Sequence, residues 1–503
     1  MASTNNRRIA INTAIMYARM LIVMCISFYA SRLLLSTLGV TDFGVFSVVG
    51  SITISFSAIK SLFSESTQRY LNIAKGSLCF SEEKQRKVFF ISLIIHFILA
   101  LLFFFILEVS GSWLLETKLS IPVARYEAAF FVFQVTIFAT VFSILNIPYD
   151  AVLIANEKMG FFAFISLYDG LARLLIIFLL PIIGHDYLKI YSLFLLITPI
   201  TTLFILIQYC KRFPECSYKW STDKSLFKGM ISLSSWNFIG NISFSLIHEG
   251  INMLLNVYGG VVLNASRAIA YQVKSMTNQV SNNVLIAVRP RVMQHSVQKD
   301  RDLFFDDIFL LSRFSFFILG LVIFPLFLFC PQILTIWLGE YPEETVMFTR
   351  LVLIALYIRT LHEPINMMNM SFSKIKRQII VESIIMILCF LFIYVVFHIT
   401  TNSTMPFIVL IAMEVLVMFG LSINAKYELG FPLKKYTRNV VIPMCTLLFL
   451  SYIAGIIILL NKCDNNLLLL LWVIISIIVE LVVIYFLLNL REKRLIFSLL
   501  KRK

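Results

Sequence analysis

Apolar runs of about 20 residues or more recur along the whole chain, each long enough for an α-helix to cross a hydrocarbon core about 30 Å thick. The spans fall near residues 9–35, 44–72, 88–110, 124–153, 161–183 and 188–210, then 229–257, 264–288, 303–330, 345–372, 378–399, 405–425, 440–461 and 466–490. That makes about 14 spans and predicts an all-α polytopic membrane protein. The composition agrees: of 503 residues, 59% are hydrophobic and 14% charged, against roughly 25% charged in an ordinary soluble domain.

A net charge of +15 raises the question of nucleic acid. The distribution of Lys and Arg answers it. With the N-terminus cytoplasmic, segments on that side carry about 29 cations, among them Arg7, Arg8, Lys211, Arg212 and Arg491, while the opposite loops carry about three, Lys118, Lys189 and Lys462. The basic balance encodes topology, with both termini cytoplasmic, and predicts no nucleic-acid partner. Arg7 and Arg8 before an apolar stretch also resemble a signal peptide, but the stretch is too long, contains Arg19 and lacks a small-x-small site before Ser31.

The eight cysteines include no CxxC, and Cys25, Cys389 and Cys445 fall within spans, where they read as small apolar fillers. Only Cys330 and Cys463 are placed to meet an oxidising compartment, which is weak support for a bridge. Connections are short, roughly a dozen residues for the longest outer ones and under about 20 for 211–228. A glycan polymerase working outside the membrane needs larger loops. Phosphate-cradling Gly loops, HExxH and clustered metal ligands are missing from the sequence, so the expectation is passage rather than enzymatic chemistry, with no cofactor and no metal.

The end of span 1, from Leu34 to Val40, is similar to the end of span 7, from Leu254 to Gly260, and both lead through a short loop into another helix. This suggests duplicated bundles: a first lobe over 1–210, a cytoplasmic linker over 211–228, a second lobe over 229–439, and two added helices with a basic tail over 440–503. Two lobes in one chain predict a monomer.

Several segments then become specific. Asn12-Thr13 with Tyr17, Arg19 and Met20, Tyr29-Ala30-Ser31-Arg32, Leu38 to Phe46 and Val48-Val49-Gly50 form the opening; Ser66-Thr67-Gln68-Arg69, Pro148-Tyr149, Glu157-Lys158-Met159, Trp236-Asn237, Gly250-Ile251-Asn252, Asn264 to Arg267 and Ala270 to Val273 follow. Together they resemble Wzx-type lipopolysaccharide O-unit flippases of the multidrug/oligosaccharidyl-lipid/polysaccharide (MATE-like) exporter superfamily. The resemblance implies a V-shaped pair of helical bundles in a bacterial inner membrane. It also implies a passenger, an undecaprenyl-pyrophosphate-linked oligosaccharide carried outward for lipopolysaccharide, O-antigen or capsule biosynthesis. A glycan polymerase and ligation machinery are the partners it implies, besides membrane lipid. It does not name the sugar.

Independently of that likeness, a charge at mid-bilayer costs about 2.5–3.5 kcal/mol on insertion scales and needs a partner or water. Arg19 lies about 15 Å into span 1, Lys60 about 24 Å from the outer end of span 2 and Lys274 about 15 Å into span 8. Arg32, Arg69, Arg125 and Arg350 sit close enough to helix ends to snorkel. Span 8 aligns Asn264, Arg267, Tyr271, Lys274 and Asn278 on one face, and span 7 aligns Asn237, Asn241, Ser245, His248 and Asn252. Such stripes face water, ligand or protein, not lipid.

These residues define the expected site: Arg19, Lys60, Arg267 and Lys274 for an anionic pyrophosphate, with Asn237, Asn241, Asn252 and Asn278 for the sugars. The competing role is helix-to-helix hydrogen bonding and internal ion pairing, for which Asp169–Arg173, Glu65–Arg69 and Arg359–Glu363 are spaced. His248, Glu249, Asp169, Arg173 and Glu414 are candidates for ion coupling, with Glu480 a weaker one. A cation-coupled multidrug antiporter on the same fold is the alternative function, since a fold does not fix its substrate.

Overall fold

In a computed structural model the backbone is described for residues 2–54, 66–71, 74, 82–217, 223–297, 301–371, 375–400, 402–459, 466–489 and 492–493. Every regular element among them is helical. The helices matching the fourteen spans are α1 (2–38), α2 (40–54), α3 (Glu82–Ile106), α4 (Tyr126–Ala155), α5 (Met159–Ile183), α6 (Tyr187–Cys210), α7 (224–259) and α8 (261–297). They continue with α9 (Arg301–Leu328), α10 (Thr345–Ser371), α11 (Ile375–Ile399), α12 (Met405–Leu429), α13 (Ile442–Leu459) and α14 (Asn466–Leu487). Twelve described stretches are long and apolar enough to cross a membrane, and two of these, Ala18–Thr53 and Gly240–Val280, run through a glycine break. Counting each as two helices gives the expected architecture.

The breaks have one cause. Gly39 (φ 75°, ψ 169°) and Gly260 (φ 74°, ψ −175°) hold backbone that only glycine adopts freely, so α1 turns directly into α2 and α7 into α8 without a loop. The sequence similarity matched Gly39 to Gly259, but the structure matches it to Gly260. Both segments thus share a glycine turn between two helices, at a position one residue later in the second. Elsewhere the ends follow ordinary chemistry: Asp186 accepts from the backbone N–H groups of Leu188 and Lys189 to cap α6, and left-handed Gly430 closes α12.

The chain packs as two units, residues 1–265 and 266–503. In the first, α4 lies along α6, α5 packs on α1, and Val45, Val48, Val49, Val132, Phe133 and Ile137 fill the centre. A Cβ on Gly44 would sit 2.0 Å from the Val261 carbonyl oxygen, so α2 and α8 start almost backbone to backbone. Asparagines bind that junction. Asn256 donates to Asn264 Oδ1 at 2.9 Å and accepts from the Ser120 N–H at 2.7 Å, Asn264 donates to Asn252, and Asn252 donates to the Ser47 carbonyl at 3.2 Å. These amides supply partners that the two helix ends lose at the break.

In the second unit α10 packs against α9 and α12. Buried Arg313 of α9 ion-pairs with Glu492 at 2.8 Å and donates to the carbonyls of Asn439 and Leu487. The two C-terminal helices, expected as an addition, are thus tied to α9 through a guanidinium.

Arg125 departs from expectation. Rather than snorkelling, it ion-pairs with Asp42 at 2.6 Å and Asp186 at 2.8 Å, joining the starts of α2, α4 and α6. Burial pushes the Asp186 carboxyl up, but Arg125 and the two backbone N–H donors outweigh it and hold the group below the ordinary aspartate range. Its stabilising contribution is complete above the unfolded value of about 3.9 and disappears as pH falls through the lower folded value. Asp186→Asn should melt lower than the parent near neutrality and lose less stability on acidification below about pH 4; superimposable acid limbs in thermal unfolding would contradict this. Gly44→Ala should destabilise by about 1–3 kcal/mol through overpacking, whereas Gly160→Ala, with open space around it, should leave the melting temperature in place.

Candidate functional site

In the first unit α2, α4, α5 and α6 enclose a cavity of about 440 Å³. Its walls are polar in a protein that is otherwise largely apolar. Thr136, Thr140, Ser143, Asn146 and Asp150 recur at three- and four-residue steps and form one stripe of α4. Phe162, Ser166, Asp169 and Arg173 do the same on α5, while α6 contributes Thr198 and Thr202 and α2 contributes Phe46 and Thr53. Thr202 donates to Asp169 at 2.9 Å, and Asn146 donates to the Pro199 carbonyl at 3.4 Å. The Asn146 Oδ1 is buried without a hydrogen-bond partner.

Two prolines add acceptors to the same walls. Pro148 in α4 and Pro199 in α6 lack the N–H that would bond the carbonyl four residues earlier, and those carbonyls belong to Ile144 and Leu195, both lining the cavity.

Arg19 of α1 reaches this region. Its Nη1 donates to Ser166 Oγ at 2.9 Å, its guanidinium carbon lies 5.2 Å from the Phe162 ring centre, and its Nε is buried without an acceptor. Among the described residues no carboxylate pairs with it.

The second unit holds the other cations. Arg267, buried, and Lys274 both lie against the ring of Tyr271, at 3.9 and 4.8 Å from its centre. A tyrosine four residues from one cation and three from the other faces both on one helical stripe, so α8 concentrates positive charge along one line. Acids stand nearby on other helices. Glu414 of α12 pairs with His362 of α10 at 2.8 Å and lies in the field of Arg359 and Lys274. Arg359 pairs with Glu363 at 3.4 Å, as the spacing predicted, and feels Glu382 of α11, which accepts from Gln378 at 3.2 Å.

The expected residues fall into three groups. Arg267 and Lys274 come together on one stripe as expected, and Arg19 lies mid-helix with no carboxylate paired to it among the described residues. Asn278, Asn241 and Glu249 are half-buried, and His248 packs edge-on against Phe244 at 4.3 Å. Asn252 is buried with its amide in the junction of α7 and α8, a helix-binding role. Lys60, Glu65 and the Asn237 side chain lie outside the described residues. Arg350 caps the Phe327 carbonyl at 3.1 Å, and Glu480 accepts from Ser451 at 2.6 Å. Cys330 is a buried free thiol. The α4 stripe escaped the sequence reading, although its spacing was a legible signal. The His362–Glu414 pair, 52 residues apart, carried none.

No protein-family model and no curated protein sequence matches the chain. Solved structures do. The chain is similar to the lipid II flippase MurJ in an inward closed conformation, with a TM-score of 0.70 and 15% identity over 93% of this chain and 97% of that one. An inward-facing multidrug resistance MATE family transporter of the MOP superfamily gives a TM-score of 0.59 at 15% identity, covering 81% and 96%. A MOP superfamily transporter from Pyrococcus furiosus, described by the reverse polarity of its binding pocket, gives 0.55 at 13% identity over 82% and 94%. The chain shares the fold of these solved proteins, and its twelve long apolar stretches among the described residues make it a multi-pass membrane protein.

A buried polar group left without its partner is costly, so Glu414→Leu, which strands the His362 imidazole, should lower stability by about 1–3 kcal/mol. The double variant with His362→Gln should lose less than the sum of the two single changes, as a coupled pair requires. Additive losses in a double-mutant cycle of thermal unfolding would show that the two side chains do not act together.

Proposed function

We propose that the chain is a flippase for oligosaccharides linked to a polyprenyl pyrophosphate, moving them from the cytoplasmic to the outer leaflet of a bacterial inner membrane for lipopolysaccharide, O-antigen or capsule assembly. The observation that carries this reading is Arg19, a guanidinium far from either helix end that meets a hydroxyl and an aromatic ring but no described carboxylate. A fixed cation in that setting is costly to keep unless an anion visits it. Arg267 and Lys274 support the same reading, because two cations on one tyrosine face suit a diphosphate with several acceptor oxygens. Lys60 belongs to the set on its depth in the sequence.

The mechanism follows alternating access. The diphosphate is held by the deep cations, the polyprenyl chain stays in lipid, and the lobes rock to release the head outside. An inside-negative potential then favours return of the empty cationic site, by up to about 2.3 kcal/mol per charge per 100 mV if the whole field is crossed. Among the candidate coupling groups, Glu414 is best supported by its surroundings, since His362, Arg359 and Lys274 all sense its charge.

A second reading, a cation-coupled multidrug antiporter, is favoured by the carboxylates of Asp150 and Asp169 in the first unit's cavity. Proteoliposomes separate the two. The flippase reading expects translocation of a fluorescent pyrophosphate-linked glycolipid, slowed at least about tenfold in Arg19→Gln, the loss of one charge-assisted hydrogen bond at about 1.5–3 kcal/mol. Expulsion of a cationic dye with no glycolipid movement would overturn it in favour of the antiporter.

A further inference from the structure

Resting on that reading and extending it, we infer that the cavity among α2, α4, α5 and α6 is a saccharide subsite, which takes neutral sugar rings of the passenger while the cations take its diphosphate. The first argument is size. At about 440 Å³ the cavity falls within the roughly 300–1,000 Å³ typical of small-molecule pockets and exceeds tenfold the roughly 30 Å³ that one water occupies. A bare cation would rattle in it.

The second argument is charge. Asp150 and Asp169 on the walls are partly offset by Arg173, also on the walls, so the cavity carries no excess positive charge to draw in the diphosphate. What the walls offer in excess is hydrogen bonding. Thr53, Thr136, Thr140 and Thr198 donate to carbonyls of their own helices and Thr202 to Asp169, which leaves their oxygens as acceptors, and Ser143 adds a further hydroxyl. The buried Asn146 Oδ1 has no partner, and the carbonyls of Ile144 and Leu195 lack their helical donor. A buried acceptor left unmade costs about 1–3 kcal/mol. Acceptors with unmet capacity suit a ligand rich in O–H groups.

The third argument is the apolar remainder. Phe46 and Phe162 supply aromatic surface beside the polar stripes, which suits a pyranose, whose C–H faces are apolar and whose edge carries hydroxyls. An extended aromatic cation would find hydroxyls where it needs rings.

The test uses the full chain in lipid nanodiscs free of glycoside detergent, with empty nanodiscs as the reference. Saturation-transfer NMR is recorded with D-glucose, D-galactose, N-acetyl-D-glucosamine, L-rhamnose and cellobiose, and binding of undecaprenyl diphosphate is measured on the same sample. At least one sugar should show transfer, which Asn146→Leu and, independently, Thr202→Val reduce at least fivefold while undecaprenyl diphosphate binding is kept. Lys274→Gln should show the converse. Absence of transfer from every sugar in a protein that binds undecaprenyl diphosphate would overturn the subsite and leave the flippase reading intact. Thermal stabilisation by sodium that Asn146→Leu abolishes, without sugar transfer, would reassign the cavity to a cation. Sugar transfer that depends on Asn146 in a protein indifferent to undecaprenyl diphosphate would keep the subsite and remove the flippase reading.

Discussion

The absence of water from the hydrocarbon core governs this structure more than any single contact, because every peptide group and every charge within it must find its partner inside the protein. Helices solve the problem for the backbone. Where α7 turns into α8 at Gly260, the helix ends are held by the amides of Asn252, Asn256 and Asn264 with Ser120 and Ser47. The close approach of Gly44 to Val261 follows from the same economy, since a direct helix-to-helix turn leaves no loop to hold the backbones apart.

Charges divide under this constraint. Arg125 holds two aspartates, Arg313 holds Glu492 and two carbonyls, and Arg359 holds Glu363: these are arginines that knit helices, with their charge answered. Arg19 meets a hydroxyl and a ring and no described carboxylate, while Arg267 and Lys274 share the face of one tyrosine with Glu414 acting on Lys274. A deep cation with no paired acid is costly to keep on stability grounds alone, which sets Arg19 apart from the arginines that knit helices. That contrast links the energetics to transport.

Much of the architecture was legible because hydropathy, helix period and glycine are local signals. The apolar spans and the Arg267–Tyr271–Lys274 stripe follow from residues within a turn or two of one another, whereas at Gly39 and Gly260 a short loop was expected and the helices turn directly. The register of the repeat was off by one because an adjacent pair, Gly259 and Gly260, leaves the left-handed position undetermined until the backbone is seen. Arg125 was misjudged because its acids lie 83 and 61 residues away. Asn252 sat on a polar stripe, yet a stripe says only that a face avoids lipid, not whether protein or ligand covers it. The hydroxyl stripe on α4 was readable in principle and was masked by the apolar residues between its members.

The central claim is that the deep cations are retained for a diphosphate. It is tested most directly by native mass spectrometry of the protein with polyprenyl diphosphate, polyprenyl monophosphate and polyprenol of one chain length. Affinity should fall at least about tenfold from diphosphate to polyprenol, corresponding to about 1.4 kcal/mol or more from charge-assisted hydrogen bonds. Equal affinity for all three lipids would contradict the account, because the apolar chain alone would then explain binding.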